Sequence, residues 1–296
     1  MRKLIKTLMA VIFVMVLSAC GTNNDTHNSE NVEKELDLDK IFGIEPGSGT
    51  MNMAEEAVKE YNLDMELIPS SEPAMITELE EAIKEERPIV VTLWQPHWTF
   101  DKYDLKILDD PKKIIGVEQK IHTIVRKGLK EEHPSAYQFL ENFHWEVEDM
   151  NAVMAMFGQD ENVEPRDAAK TWIEDNREKA NAWMEGIEAV ENESIELAYI
   201  EWDTELSSTN IVTLLLEELG YDVKLTPLDM GIAFESIAQG EVDGTLIAWL
   251  PGGASTYMEQ YEDDVEDLGP NLEGARQGFV VPAYMDIDSM EDLPVK

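Results

Sequence analysis

The sequence predicts an α/β fold made of two similar lobes, and three observations lead to this prediction. A β-α-β-α-β pattern of apolar segments occurs twice, over residues 41–98 and again over residues 195–251. Strands that alternate with helices indicate parallel sheets covered by helices on both faces, with right-handed crossovers. After a leader and a polar tether about 260 residues remain, enough for one large or two medium domains.

Each repeat contains three short apolar segments separated by two segments with helical spacing. The first repeat predicts strands at residues 41–44, 65–68 and 89–94 and helices at 51–61 and 74–85. The second predicts strands at 197–202, 221–225 and 245–250 and helices at 209–219 and 230–237. Residues 134–184 have mostly helical spacing, and we interpret Trp145, Trp172 and Trp183 as packing residues. Residues 278–282 predict a further strand.

The first nineteen residues have the pattern of a signal peptide. A positive start is followed by an apolar run over residues 7–17 and by the lipobox sequence Leu17-Ser18-Ala19-Cys20. We therefore expect residues 1–19 to be removed and Cys20, the only cysteine, to carry the lipid. Residues 20–36 then form a flexible polar tether, residues 37–118 lobe A, and residues 119–296 lobe B, a helical segment plus an α/β unit.

Acidic residues greatly outnumber basic ones in this chain. The counts of 62 and 23 give a formal net charge of −39. A field of this sign disfavours nucleic acid and anionic membrane surfaces as partners. We interpret the excess as a solvated surface suited to high salt or high pH, although such a field also attracts cationic ligands.

Three of the seven tryptophans fall at predicted strand ends. Trp94 and Trp249 end the third strand of their repeats, and Trp202 ends the first strand of the second repeat. In open parallel sheets ligands bind beyond the carboxyl ends of the strands, so a cleft between the lobes would face all three rings. The loop 46–50 (PGSGT) precedes a predicted helix, and its N–H groups offer a site for a carboxylate.

Aromatic faces combined with an anion site suit a zwitterion with a quaternary ammonium head. Such a head has no N–H groups to donate, and ring faces accommodate it well. Each ring contributes on the order of 0.5–2 kcal/mol when desolvated. The alternative, that these tryptophans only pack the core, remains open at this stage for each of them.

Motifs for catalysis, metals or cofactors are not found. The five histidines are not paired at ligand spacing with one another or with a cysteine, and we predict no metal and no cofactor. A nucleophile elbow, a P-loop and a dinucleotide fingerprint are all missing, so we predict no enzyme activity. His97 lies near the predicted cleft and is a possible ligand contact or a structural residue. For Asp203 we favour capping the following helix or orienting a loop.

Several long stretches resemble the glycine betaine-binding lipoproteins of osmoprotectant ABC importers, in the variant with permuted lobe order. They cover about residues 39–294 and include IFGIEPGSGTMNM, IVVTLWQPHWTFDKYDLKILDDP, IHTIVRKGLKEEHP, LAYIEWD, AWLP and GFVVPAYMDIDSMEDL. The resemblance implies a two-lobed periplasmic-binding-protein-like fold with the ligand cleft between the lobes. It implies that Trp94, Trp202 and Trp249 surround the ammonium head and that the N–H groups of Gly49 and Thr50 hold the carboxylate.

The chain departs from this pattern after the last tryptophan. Ala254 stands where the family has a histidine, and Leu93 and Gln95 beside Trp94 are also atypical. The loss of the histidine could weaken glycine betaine binding or favour a bulkier ligand or one without a carboxylate, such as choline. Alternatively, the amides of Gly252 and Gly253 compensate, with Ser255 as a further candidate.

The resemblance also implies partners and a location. We expect a lipid-anchored protein on the outer face of the cell membrane that passes a quaternary-ammonium solute to permease and ATPase subunits. A sensor or partner-binding lipoprotein that kept the fold but lost transport is an alternative, and an extracellular hydrolase is a third.

Overall fold

Nine strands and eleven helices follow one another in the described part of the chain. The computed structural model describes residues 38–160 and 162–296, so the signal peptide, Cys20 and the tether lie outside the described residues. The strands are β1 (Lys40–Phe42), β2 (Glu66–Ile68), β3 (Val90–Gln95), β4 (Leu105–Ile107), β5 (Glu118–Arg126), β6 (Glu193–Tyr199), β7 (Tyr221–Pro227), β8 (Gly244–Leu250) and β9 (Val265–Pro282).

The helices are spread along the whole described chain. They are α1 (Gly49–Glu60), α2 (Glu72–Lys84), α3 (Thr99–Lys102), α4 (Leu129–Glu132), α5 (Pro134–Asn142), α6 (Val147–Gly158), α7 (Pro165–Asp175), α8 (Arg177–Trp183), α9 (Asp203–Glu218), α10 (Met230–Gln239) and α11 (Ser255–Tyr261), with a 3-10 turn at Met290–Asp292. Among the described residues no helix is both long and apolar enough to cross a membrane.

Both repeats fold as β-α-β-α-β units, as the apolar spacing predicts. In the first, β1 lies between β2 and β3 and pairs with both in parallel. In the second, β6 lies between β7 and β8, again in parallel. Parallel neighbours need a crossover connection, and the two helices of each repeat supply it. The mixed α/β class is therefore confirmed.

Strands β5 and β9 join the two units into one sheet with the order β2-β1-β3-β9-β5-β8-β6-β7, and β4 pairs with β9 beside it. The first half of β9 pairs with β5, which also pairs with β8 of the second unit. The second half of β9 pairs with β3 of the first unit. The chain thus passes between the units near residue 117 and returns near residue 276. We call the units the first lobe and the second lobe.

This pairing differs from the expected boundary, which placed all of 119–296 in lobe B. Val280 lies opposite Val91 in the first lobe. Phe279, Met290 and Leu293 share a buried cluster with Ile41 of β1. The apolar side chains after residue 276 therefore complete the core of the first lobe, because β1 to β3 alone leave it uncovered.

Helix α9 begins earlier than its apolar spacing predicts. We expected a strand through Trp202 and a helix from residue 209, whereas β6 ends at Tyr199 and α9 begins at Asp203. The polar side chains over residues 204–210 are buried. A helix that is buried on several faces lacks the amphipathic stripe on which the sequence prediction depends.

The helical segment between the repeats packs around an aromatic cluster. The rings of Trp172 and Trp183 stack with centroids 5.9 Å apart, and Trp145 meets Trp172 edge-on at 6.0 Å. All three side chains are buried. Their interpretation as packing residues is confirmed.

Candidate functional site

Two tryptophans from opposite lobes meet where the lobes touch. Trp94 is the last residue but one of β3 in the first lobe, and Trp202 immediately precedes α9 in the second. Their ring centroids are 5.8 Å apart with planes at 45°, and both side chains are buried. We call this contact region between the lobes the seam. The sequence predicted that these two rings would face one cleft, and they lie side by side.

The third predicted tryptophan, Trp249, is buried in β8 of the second lobe. Its indole Nε1–H donates to Oε1 of Glu205 at 3.3 Å. Glu205 lies in the first turn of α9, three residues after Trp202. Trp249 is therefore tied to the helix end that carries the second-lobe side of the seam.

The indole N–H groups of the tryptophans differ in their partners. Trp202 Nε1–H donates across the seam to Oε2 of Glu45 at 3.0 Å. Trp94 Nε1 is buried and has no hydrogen-bond partner among the described residues. An unpaired buried donor is costly, so Trp94 offers a hydrogen bond to an acceptor group at the seam.

The predicted anion site is the start of α1. Ser48 caps this helix by accepting a hydrogen bond from the N–H of Met51. The N–H groups of Gly49 and Thr50 precede the intrahelical ladder, and neither has a partner in the described part of the chain. Free N–H groups at a helix start favour a negative charge.

The glycines after Trp249 lie against this helix start. A Cβ atom on Gly49 would lie 2.1 Å from the Cα atom of Gly253, so only glycine at residue 49 permits this approach. The N–H of Gly252 donates to the carbonyl of Trp249, whereas that of Gly253 has no partner among the described residues. Of the two amides, Gly253 is thus the one available to a ligand.

Ala254 does not present a functional group to the seam. Its side chain is fully buried, and its N–H donates to the carbonyl of Trp249 at 3.1 Å. The residue lies in the turn between β8 and α11.

Buried polar side chains connect the lobes beneath the glycines. Thr50 Oγ1–H donates to Oε1 of Gln277 at 2.7 Å, and Gln277 Nε2 donates to Oε1 of Gln119 at 3.3 Å. A Cβ atom on Gly252 would lie 1.8 Å from that Gln119 oxygen. The glycine at residue 252 therefore makes room for Gln119 within the second lobe, and the glycine at residue 253 permits close contact with Gly49 of the first lobe.

His97 is fully buried beside Trp94, with ring centroids 5.6 Å apart. Its Nδ1 accepts the N–H of Thr99 at 3.2 Å, so Nε2 carries the proton and donates to Glu72 Oε1 at 2.9 Å. Burial lowers the pKa of His97 to about 4, which keeps the ring neutral. Because both nitrogens have protein partners, the contacts favour the structural alternative for His97.

Sequence analysis missed a group of buried acidic side chains at the seam. Asp203 accepts the indole N–H of Trp98 at 2.7 Å, and its own N–H donates to Glu72 Oε2 at 3.1 Å. Both bonds join the two lobes. Glu205 is buried as well. The sequence signal for this group is the run of polar residues at the start of α9. It was overlooked because the excess of acidic residues in the chain was interpreted as solvated surface.

Burial raises the pKa of each of these carboxyl groups. The pKa of Glu72 lies well above its usual value because of burial and the charge of Asp203. Burial also raises the pKa of Asp203. Burial raises the pKa of Glu205 to about 8. The closed seam therefore disfavours ionised carboxylates.

One group among the described residues has the spacing of a metal site, and it consists of Glu72, His97 and Asp203. One possible ligand atom from each of them lies within 4.8 Å of the other two. However, Nε2 of His97 carries a proton and donates a hydrogen bond to Glu72, so in this arrangement Nε2 is a hydrogen-bond donor and not a metal ligand.

Two α/β lobes that β5 and β9 join into one sheet, with aromatic rings and free helix N–H groups at the seam, define a solute-binding protein of the two-lobed type. The family model described as the substrate binding domain of ABC-type glycine betaine transport systems matches residues 25–175 and 193–296. The chain belongs to this family. It is a substrate-binding protein that works with the permease and ATPase subunits of an ABC importer.

One relative is similar to this chain over almost its whole length. The glycine betaine/carnitine transport binding protein GbuC of Listeria monocytogenes is 44% identical over 297 residues, covering 99% of this chain and 98% of GbuC.

Solved structures superpose over part of the chain. Lactococcal OpuAC complexed with glycine betaine is 44% identical with a TM-score of 0.47, over 53% of this chain and 64% of that chain, less than two thirds of its length. The glycine betaine, L-proline-binding protein ProX of Borrelia burgdorferi is 37% identical with a TM-score of 0.46, over 49% and 55%.

Proposed function

We propose that this protein captures glycine betaine or a related quaternary-ammonium solute at the seam, without chemically changing it, and delivers it for uptake. The observation that carries this proposal is the buried contact of Trp94 and Trp202 from opposite lobes. Ring faces that come from both lobes can enclose a methylated ammonium group only when the lobes close. The binding of solute and the closure of the lobes are then one event.

The polar groups of the seam suit the other end of such a solute. The N–H groups of Gly49, Thr50 and Gly253 and the indole N–H of Trp94 are free donors within the described residues. A carboxylate could accept several of them, which offsets the missing histidine at residue 254. The similarity to GbuC, named for glycine betaine and carnitine, supports the same ligand class.

Choline remains a second candidate, because Ala254 is buried and provides no side-chain donor for a carboxylate. Calorimetric titration with glycine betaine, carnitine, proline betaine and choline separates the two. Preference for the carboxylate-bearing solutes supports the free N–H groups as the anion site. If none of these compounds binds, the proposed ligand class is wrong.

Replacing Trp202 with alanine tests the aromatic site. We expect the affinity for the best solute to fall by at least about 1 kcal/mol, or roughly fivefold, because one ring face is lost. Trp202→Phe keeps a ring face but loses the hydrogen bond to Glu45, so its affinity for the solute should lie between those of the native protein and Trp202→Ala. Trp183→Phe, in the distant aromatic cluster, serves as the control and should leave the affinity unchanged.

We further propose that the protein is held on the outer face of the cell membrane by a lipid on Cys20. The lipobox motif carries this proposal. Cys20→Ala should prevent incorporation of labelled fatty acid and release the protein from the membrane fraction. A variant that stays membrane-bound and labelled would contradict the assignment.

A further inference from the structure

Four acidic side chains come together at the seam, and we call them the seam carboxylates: Glu45 and Glu72 from the first lobe, Asp203 and Glu205 from the second. Glu45 accepts from Trp202, and Glu72 accepts the N–H of Asp203, both across the seam. Asp203 in turn accepts from Trp98 of the first lobe. Each lobe thus contributes two carboxyl groups to a region that closure brings together.

Within the described ranges, basic groups do not offset these charges. His97 donates to Glu72 but is neutral, because burial lowers its pKa to about 4. Lys102 lies over the Trp98 ring at 5.2 Å from its centroid, and its ammonium group is paired with Glu80. The charges that act on Glu72 come from Asp203 and Glu45, and Glu72 acts on Glu205. The groups facing one another at the seam are therefore acidic or neutral.

Closure of the lobes changes the surroundings of these groups. Glu72, Asp203 and Glu205 are buried or nearly buried in the closed arrangement seen here, where the effective dielectric constant is low. Separation of the lobes would break the two bonds to Asp203 and admit water. Ionised carboxylates therefore cost little free energy in an open form, where water solvates them. In the closed form they raise the free energy unless a proton or a cation neutralises them.

We propose that the seam carboxylates oppose closure of the empty protein, and that the cationic head of the solute between the lobes offsets their charge and permits closure. This inference rests on the proposed function and adds a role for Glu72, Asp203 and Glu205. They are positioning residues that act through the lobe equilibrium, and the solute's positive charge, in addition to its shape, is what drives capture.

The proposal predicts the behaviour of the empty protein. Asp203→Asn and Glu205→Gln keep an oxygen that accepts the Trp98 and Trp249 indole N–H groups but remove the charge. We expect each to raise the closed-to-open ratio of the solute-free protein by roughly tenfold, the factor for one pKa unit of differential interaction. Lowering the pH should raise the ratio of the native protein in the same way, and it should affect the double variant, which combines Asp203→Asn with Glu205→Gln, less.

The closed-to-open ratio is measured by fluorescence energy transfer between two labels on the full-length protein. The labels are attached at two exposed residues, through Glu60→Cys in the first lobe and Asp222→Cys in the second. Cys20→Ser removes the native cysteine so that only these two residues are labelled. Glu201→Gln is the matched control, because it removes an exposed charge two residues from Asp203 and should leave the ratio unchanged. Urea unfolding of each variant verifies its fold, and either neutral variant suffices if the other does not fold.

A neutral isostere tests the role of the solute's charge. Choline should close the native protein, whereas 3,3-dimethyl-1-butanol, which has the same shape without the charge, should close only the double variant. Neutral variants that remain as open as the native protein without solute would overturn the proposal, as would equal closure of the native protein by both compounds. The solute-free measurement does not depend on the ligand class, so it distinguishes failure of this inference from failure of the proposed function.

Discussion

Acidic partners orient two of the three predicted tryptophans, Trp202 and Trp249. Glu45 holds the indole of Trp202 from the opposite lobe, and Glu205 holds that of Trp249 within the second lobe. A bound indole N–H fixes the plane of the ring, and with it the direction in which the ring presents its face to a cation. Trp94, whose N–H is free, is the ring that can also donate to a solute.

The buried carboxyl of Glu205 makes folding stability depend on pH. Its pKa is raised from the ordinary 4.5 to about 8, so the folded protein holds this proton over a range where the unfolded chain has lost it. The Glu205 contribution to stability is therefore fully present below about pH 4.5 and falls as the pH rises to about 8.

Glu205→Gln should remove this contribution while keeping an acceptor for Trp249. We expect the free energy of unfolding to decline less steeply between about pH 5 and about pH 8 in the variant than in the native protein. Urea unfolding at several pH values measures both slopes. Identical slopes would show that Glu205 titrates normally in the folded state.

At the scale of elements, the start of α1 and the turn after β8 approach each other so closely that a Cβ atom on Gly49 would have no room. Gly49 and Gly253 make this contact, and each belongs to a different lobe. Because backbone atoms rather than flexible side chains meet there, added volume cannot be absorbed locally.

Gly49→Ala should therefore impair closure. We expect solute affinity to fall at least about tenfold, because the new methyl group meets the backbone of Gly253 only when the lobes close. The stability to urea should stay similar, since alanine is a better helix former than glycine. Gly253→Ala makes a longer contact, 3.1 Å from the Gly49 Cα atom, and should cost less. Calorimetry measures both, and unchanged affinity in Gly49→Ala would exclude this contact from the bound form.

The sequence did not predict strands whose hydrogen-bonded partner strands lie far away along the chain. Strand β5 and the first half of β9 pair with register shifts, and β9 contains Gly269 and Gly274 with positive φ angles. Such glycines normally indicate turns, so the pattern gave no strand there. Regular apolar segments such as 89–94 and 245–250 were located correctly because both faces of these strands are buried, which leaves a nearly continuous apolar run in the sequence.

At the scale of the whole molecule, the net charge of −39 acts against the compact state. Basic side chains are too few to pair with most of the acidic ones, so repulsion between exposed carboxylates remains. Mobile cations screen this repulsion over distances of about 10 Å at 0.1 M salt.

The melting temperature should therefore rise between about 0.05 M and about 0.5 M NaCl, as screening shortens the range of the repulsion. Scanning calorimetry in NaCl, compared with sucrose at equal osmolality, separates charge screening from solute exclusion. A melting temperature that falls with NaCl, or rises equally in sucrose, would contradict an electrostatic cause.

The sequence by itself determined the two repeats, the tryptophans at the seam and the family, because apolar periodicity and long contiguous motifs are local properties of the chain. Only the tertiary structure decided that residues after 276 complete the first lobe and that acidic side chains meet at the seam. The bond from Asp203 to Glu72 spans 131 residues and that from Trp202 to Glu45 spans 157. A buried carboxyl and a solvated one look alike in a sequence, and they differ only in what the folded chain places beside them.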